Sequence, residues 1–200
     1  MKAVVFDIGN VLYAWDLKAI FSPLIEDPEE LDWFMNHVVT EEWHFQHDAG
    51  ASMRDTIPKL THRYPQYRDL IARYDSDWMH SITGEIPGMY DLVADLSKLR
   101  IPLYAITNFS CDFFPRLRAK SRILPLFRDC IVSGCEKLIK PDPAIFTLGM
   151  KRFDLKKGEA LFIDDKEENV ASAVRCGYLG HRFTDALTLR ADMEKLCLHL

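Results

Sequence analysis

The chain opens on four apolar residues, Ala3–Phe6, that lead to a carboxylate at Asp7 and a turn at Gly9. Short apolar runs recur at Pro102–Ile106, Cys130–Val132, Ala160–Ile163 and, less cleanly, Tyr178–His181. Between them, apolar residues return every three or four positions. That spacing predicts helices over Tyr90–Leu99, Asp112–Arg118, Pro143–Arg152, Glu168–Cys176 and Asp185–Leu196. Short strands alternating with helices of this length argue for βαβ units, and so for an α/β fold with a doubly wound parallel sheet.

The segment 15–85 breaks that rhythm. It is rich in Trp, Phe, His and helix formers, has no convincing strand, and reads as several helices. Tyr13-Ala14 on one side and Gly84–Gly88 on the other read as short hinges. The expected organisation is therefore a core formed by 1–14 and 86–200, with 15–85 as a helical cap over the sheet's carboxyl edge.

Composition narrows the partners. Two hundred residues suit one core domain plus a modest insertion. The net charge is −5 with no basic stripe, which argues against nucleic acid and anionic membrane surfaces. No apolar run approaches the ~18 residues of a membrane span. Met1 and Lys2 lead straight into the first strand, which leaves no room for a signal peptide. The five cysteines (Cys111, Cys130, Cys135, Cys176, Cys197) form no C-x-x-C pair and no zinc spacing. They are expected to be reduced thiols of a cytoplasmic protein. The sequon at Asn108-Phe109-Ser110 then has no role in glycosylation.

If the strands are parallel, each delivers polar residues to one edge. The first brings Asp7, the second Thr107 and Asn108, the third is followed by Lys140, and the fourth ends in Asp164-Asp165. Packed carboxylates cannot all stay ionised without a cation, and hard oxygen donors select Mg²⁺. With Mg²⁺ and Lys140 neutralising a phosphate, Asp7 could attack phosphorus as a carboxylate nucleophile. The partner implied is a small phosphorylated molecule.

Strand-Asp7, Thr107-Asn108, Lys140-Pro141-Asp142-Pro143 and Phe162-Ile163-Asp164-Asp165 with Asn169 resemble the four ordered motifs of the haloacid dehalogenase superfamily of hydrolases. The resemblance spans essentially the whole chain and implies a Rossmann-like core with a helical cap inserted after the first motif. By it, Asp7 is nucleophile and metal ligand, and Gly9 offers its carbonyl to Mg²⁺. Thr107 and Asn108 bind phosphate, Lys140 bridges phosphate and nucleophile, Asp165 ligates the metal, and Asp164 lies in or next to the metal's ligand set.

Plainer readings stand beside these. Asp165 and Glu168 fit a helix capping box. Lys140 precedes a helix start where Asp142 is a natural N-cap and Pro143 a good first residue. Asn169 reads as a tie between loops. In the cap, His44, His47 and Asp48 share one helical face, which could reach the crevice and read the substrate. Trp15, Trp33, Phe34 and Trp78 read most simply as cap core.

Gly9 is the departure. Phosphatases of the superfamily usually carry a second Asp two residues after the nucleophile, and general acid–base help is typically worth ~10²–10⁴ in rate. One reading is a phosphatase, similar to the branch with D-x-G-N-V here that acts on sugar phosphates, with a cap residue or water moving the proton. A second is a 2-haloacid dehalogenase using Asp7 without metal, against which stand Asp164-Asp165 and the lack of a clear arginine near Asp7. A third is a weakly catalytic protein that holds a phosphorylated ligand.

Overall fold

The computed structural model describes residues 1–195. In chain order, β1 (Ala3–Phe6) and β2 (Tyr13–Trp15) are followed by α1 (Pro28–His37), α2 (Glu41–Asp48), α3 (Met53–Arg63), α4 (Arg68–Ser76) and the returning β3 (Ile82–Glu85). The remainder runs α5 (Met89–Lys98), β4 (Leu103–Thr107), α6 (Phe114–Lys120), β5 (Asp129–Val132), a one-turn α7 (Ser133–Glu136), α8 (Pro143–Arg152), β6 (Ala160–Asp164), α9 (Glu167–Cys176), β7 (Leu179–Arg182) and α10 (Ala186–Lys195).

Five strands form one parallel sheet in the order β5-β4-β1-β6-β7. The chain builds outward from β1 on one side, then crosses to build the other. The carboxyl end of β1, between β4 and β6, is therefore the topological switch point where open α/β sheets bind ligands. Both faces are covered. Val4 and Phe6 pack into one apolar cluster with Leu103, Ala105 and Ile163, while Ala3 and Val5 pack into a second with Ile106, Phe146 and Phe162. Burial on two faces is why these strands read as continuous apolar runs rather than alternating ones.

The insertion is rooted in the first cluster, which runs on from Val4 and Phe6 to Phe34, Ile71, Tyr74 and Trp78. Its helix starts are set by side-chain caps: Asp27 accepts from Glu29 N, Thr40 from Trp43 N and Ser52 from Arg54 N. In the core, Asp142 caps α8 as expected, accepting from Ala144 N at 2.8 Å with Pro143 in the first turn. Among the described residues no helix is long and apolar enough to cross a membrane.

Several expectations are corrected. The insertion's edges are not plain hinges: β2 and β3 pair antiparallel, with Tyr13 opposite Glu85 and Trp15 opposite Ile82. Strands of three and four residues, one containing Gly84, are too short to show a period. The one-turn α7 was not anticipated. Trp33 is not core, being 41% exposed and stacked on His37. The expected last helix ends at Lys195 among the described residues, and Leu196 and Cys197 lie outside them.

The expectation of five reduced thiols also fails, because Cys111 and Cys135 form a disulfide. They are 24 residues apart, with no local signature. Pairing of β4 with β5 sets the loop after β4 beside α7, and that adjacency joins them.

Candidate active site

Asp7 follows β1 directly. Its backbone N–H donates to Ile163 O at 2.8 Å, continuing the ladder with β6, and its Oδ1 accepts from Ile8 N at 2.7 Å. Lys140 Nζ lies 2.9 Å from Asp7 Oδ1 and 2.6 Å from Asp164 Oδ2, with both Lys140 and Asp164 buried. Asp164 is otherwise occupied by its own loop: Lys166 N donates to Oδ1 at 2.9 Å, and Asn169 Nδ2 reaches its two oxygens at 2.9 and 3.0 Å. Its carboxylate therefore holds Lys140 in place, and Asn169, expected to tie loops together, instead braces Asp164 within the single β6–α9 connection. Asp165, half-buried, faces the cavity. It is not the N-cap of α9: the helix begins at Glu167 with Lys166 in the cap position, so the capping-box reading is corrected.

The Lys140 loop is fastened to the end of β4 by one amide. Asn108 Oδ1 accepts from Lys140 N at 2.8 Å, and its Nδ2 donates to Lys140 O at 3.0 Å. That commitment leaves the Asn108 side chain little to offer a ligand. Thr107 Oγ1, in contrast, is buried with no hydrogen-bond partner among the described residues. Native buried hydroxyls are nearly always paired, so this one fits a group arriving with a ligand.

Charge here is under strain of the kind a cation relieves. Burial pushes Asp7 up to about 6, against the pull of Lys140. Asp165 is raised by burial and by Asp164. Burial opposes the charge on Lys140, but Asp7 and Asp164 outweigh it and hold the ammonium above its ordinary range. Carboxylate oxygens of Asp7, Asp164 and Asp165 all lie within 4.8 Å of one another. Asp7 and Asp165, two hard oxygen donors with raised proton affinity, fit Mg²⁺, with Asp164 beside them.

The insertion contributes the end of α2. His44, His47 and Asp48 are all buried, but they are not equivalent. His47 bonds His44 O at 2.9 Å through Nδ1 and Thr56 Oγ1 at 2.8 Å through Nε2, and lies behind the cavity wall. His44 is on the wall, with Nδ1 tied to the Tyr74 hydroxyl at 2.7 Å. Burial lowers His44 to about 3 and His47 to about 4, so both are neutral imidazoles. Asp48 is also on the wall, and no hydrogen bond reaches its carboxyl among the described residues. Burial, with Asp7 adding to it, pushes Asp48 up to about 7.

Two residues that the sequence reading passed over seat Asp48. Ser133 Oγ donates to Asp48 O at 2.6 Å and accepts from Phe109 N at 2.9 Å, joining α2 to the β4 loop. At Gly134 a Cβ would lie 2.8 Å from His47 O, Cys111 N and Phe109 O, so only glycine allows the three segments to meet. The Cys111–Cys135 disulfide closes the same junction. The signal was V-S-G-C at a strand end, legible only once β5 is known to lie beside β4.

Together these segments enclose a cavity of about 260 Å³ over Asp7. Asp7, Gly9, Asn108, Lys140 and Asp165 line one part of it, and Asp48, His44 and several aromatic rings line another. Of the expected site residues, Thr107, Asp164 and His47 stand behind this surface. Trp15 and Trp78, expected in the insertion's core, pack there and also form part of the wall.

Residues 1–177 match the family model of haloacid dehalogenase-like hydrolases, and the chain belongs to that family. It is an enzyme of the hydrolase class. It is 27% identical to the sesquiterpene phosphatase astK of Aspergillus oryzae over 98% of this chain and 96% of that one. It is 29% identical to a phosphoglycolate phosphatase of Photorhabdus laumondii, over 60% of this chain and 51% of that one. Among solved structures, a HAD-family enzyme of Bacteroides thetaiotaomicron, in complex with magnesium and inorganic phosphate, superposes with a TM-score of 0.73 at 17% identity, covering 92% of this chain and 95% of that one.

Proposed function

We propose that this protein is a Mg²⁺-dependent phosphomonoester hydrolase that works through an aspartyl-phosphate on Asp7. The observation that carries the reading is Lys140 held between Asp7 and Asp164 at the switch point, with Asp165 open to the same cavity. The phosphatase names of the relatives support it. Mg²⁺ held by Asp7, Asp165 and the Gly9 carbonyl, with Asp164 behind them, would neutralise phosphoryl oxygens so that an anionic nucleophile can approach. Lys140 orients the attacking carboxylate and offsets its charge. The backbone N–H of Asn108 would hold the phosphoryl group, with the Thr107 hydroxyl, unpartnered among the described residues, in the layer behind it.

Asp48 takes the place of the acid missing at Gly9. Asp7 forms a bond to phosphorus as the bond to the leaving oxygen breaks, and that oxygen takes the Asp48 proton. A water then attacks the aspartyl-phosphate, gives its proton to Asp48, and frees Asp7 and phosphate. His44 and His47 are unsuited to this, being neutral and hydrogen-bonded elsewhere.

The test is release of phosphate from p-nitrophenyl phosphate with and without Mg²⁺. Mg²⁺-dependent release that is lost in Asp7→Asn supports the reading. Halide release from 2-chloropropionate that survives EDTA would replace it with the dehalogenase reading. The sugar-phosphate expectation rests on the D-x-G-N-V turn alone, and the relatives' names point to unlike substrates, a sesquiterpene and phosphoglycolate.

A further inference from the structure

The cavity has two chemically different parts. One is the polar floor of Asp7, Asn108, Lys140 and Asp165. The other is a wall of large apolar side chains: Tyr13 and Trp15 from β2, Phe45 from α2, Trp78 and Ile82 from the end of the insertion, and Phe109 from the β4 loop. Trp15 lies 6.3 Å from Phe45 between ring centroids, and Trp78 lies 5.1 Å from Phe109. Phe45 is 38% exposed, which leaves much of a large apolar ring without protein cover beside the cavity.

Among the described residues, Asp48, Lys166 and Trp78 Nε1 are the polar groups of this wall without a hydrogen-bond partner, too few for a polyhydroxylated ligand, and the others are largely committed. His44 Nδ1 is used by Tyr74, Asn10 Oδ1 accepts from Trp15 N at 3.3 Å, and Asn169 Nδ2 serves Asp164. Sugar hydroxyls placed here would exchange water for aromatic carbon with few replacement hydrogen bonds, which disfavours their binding. A hydrocarbon gains from the same contact. The volume, about 260 Å³, exceeds the needs of phosphate alone and approaches the lower end of organic ligand sites, ~300–1,000 Å³.

We propose that the substrate is the phosphate monoester of an apolar, hydrocarbon-bodied alcohol, with its body against Trp15, Phe45, Trp78 and Ile82 and its phosphate over Asp7. The assignment rests on the phosphatase reading for its chemistry, and on the wall alone for its substrate class.

The test uses the full chain with Mg²⁺ and the series ethyl, butyl, hexyl and octyl phosphate, alongside glucose 1-phosphate, phosphoglycolate and p-nitrophenyl phosphate. The expected result is a rise in kcat/KM of about fourfold per added methylene until the wall is covered, the fold equivalent of about 0.8 kcal/mol. Glucose 1-phosphate and phosphoglycolate should fall below hexyl phosphate. A kcat/KM that is flat or falling with chain length, or highest for a sugar phosphate, overturns the proposal. Phe45→Ser should raise KM for octyl phosphate at least tenfold more than for ethyl phosphate, and Ile82→Thr repeats the test at a second position. The matching alkylphosphonates, read by thermal shift, separate the two readings. A shift that grows with chain length while no phosphate is released from any ester upholds the apolar site and removes only the phosphatase reading. A shift independent of chain length overturns the inference whatever the turnover.

Discussion

Replacing Asp48 by Asn keeps the shape of the side chain and removes its titratable proton. In the folded protein Asp48 is held up to about 7, against an ordinary value of 3.8. A raised carboxyl binds its proton more tightly folded than unfolded. Its stabilising contribution is therefore complete below about pH 4 and is lost as pH rises through about 7. Three units at ~1.36 kcal/mol each make that loss at most about 4 kcal/mol at pH 8. Asp48→Asn should accordingly be more stable than the parent at about pH 8, by several degrees in Tm, and gain nothing at about pH 4. Activity should move the opposite way. On butyl phosphate, whose leaving oxygen needs a proton, turnover should fall by ~10²–10⁴, while p-nitrophenyl phosphate should lose less than about tenfold. The alkaline limb of the butyl phosphate pH profile, near the Asp48 value in the parent, should disappear. Gly9→Asp supplies the second half of the experiment, because a Cβ at Gly9 meets nothing within 4 Å and the backbone there is not left-handed. Added to Asp48→Asn, it should restore most of the butyl phosphate activity. Equal losses on the two esters, or a Tm difference independent of pH, would refute the role given to Asp48.

Other outcomes follow from the same geometry. Lys140→Met leaves Asp7 and Asp164 buried without their cation and should cost roughly 3–5 kcal/mol in urea unfolding at neutral pH, and less in acid where carboxyls take up protons. Mg²⁺ at about a hundred times its Kd should stabilise the protein by about 2.7 kcal/mol; Asp165→Asn should lose most of that shift, and a full shift in the variant would sink the metal assignment. Reducing the Cys111–Cys135 bridge, whose partners are 24 positions apart, should cost about 3.5 kcal/mol by loop entropy, seen as a fall in Tm with dithiothreitol that Cys111→Ser no longer shows.

Much of the sheet was legible because strands buried on both faces leave unbroken apolar runs, and Ala3–Phe6 and helix Pro143–Arg152 were placed to the residue. Asp7, Lys140 and Asp165 were legible as a set for a related reason: residues that follow parallel strands must share an edge. What escaped the sequence was nearly all a matter of neighbours. The β2–β3 ribbon is too short for periodicity, and the disulfide joins cysteines brought together only by strand order. His44, His47 and Asp48 looked alike on a helical face, and burial together with the partners Tyr74 and Thr56 made them different. Trp15 and Trp78 do pack with the first cluster, but an aromatic residue carries no mark of whether its ring also lines a cavity.

The Ser133 contact has an evolutionary consequence. By fastening Asp48 to the β4 loop, it gives the carboxyl proposed as proton donor a seat that does not depend on the rings of the wall. Trp15, Phe45 and Ile82 belong to β2, the outer side of α2 and β3, so replacing them leaves Ser133, Gly134 and the floor untouched. On the proposed reading, drift in those three positions would retune which alcohol is accepted while the reaction is conserved. A lineage built on this arrangement is free to change its diet one wall residue at a time.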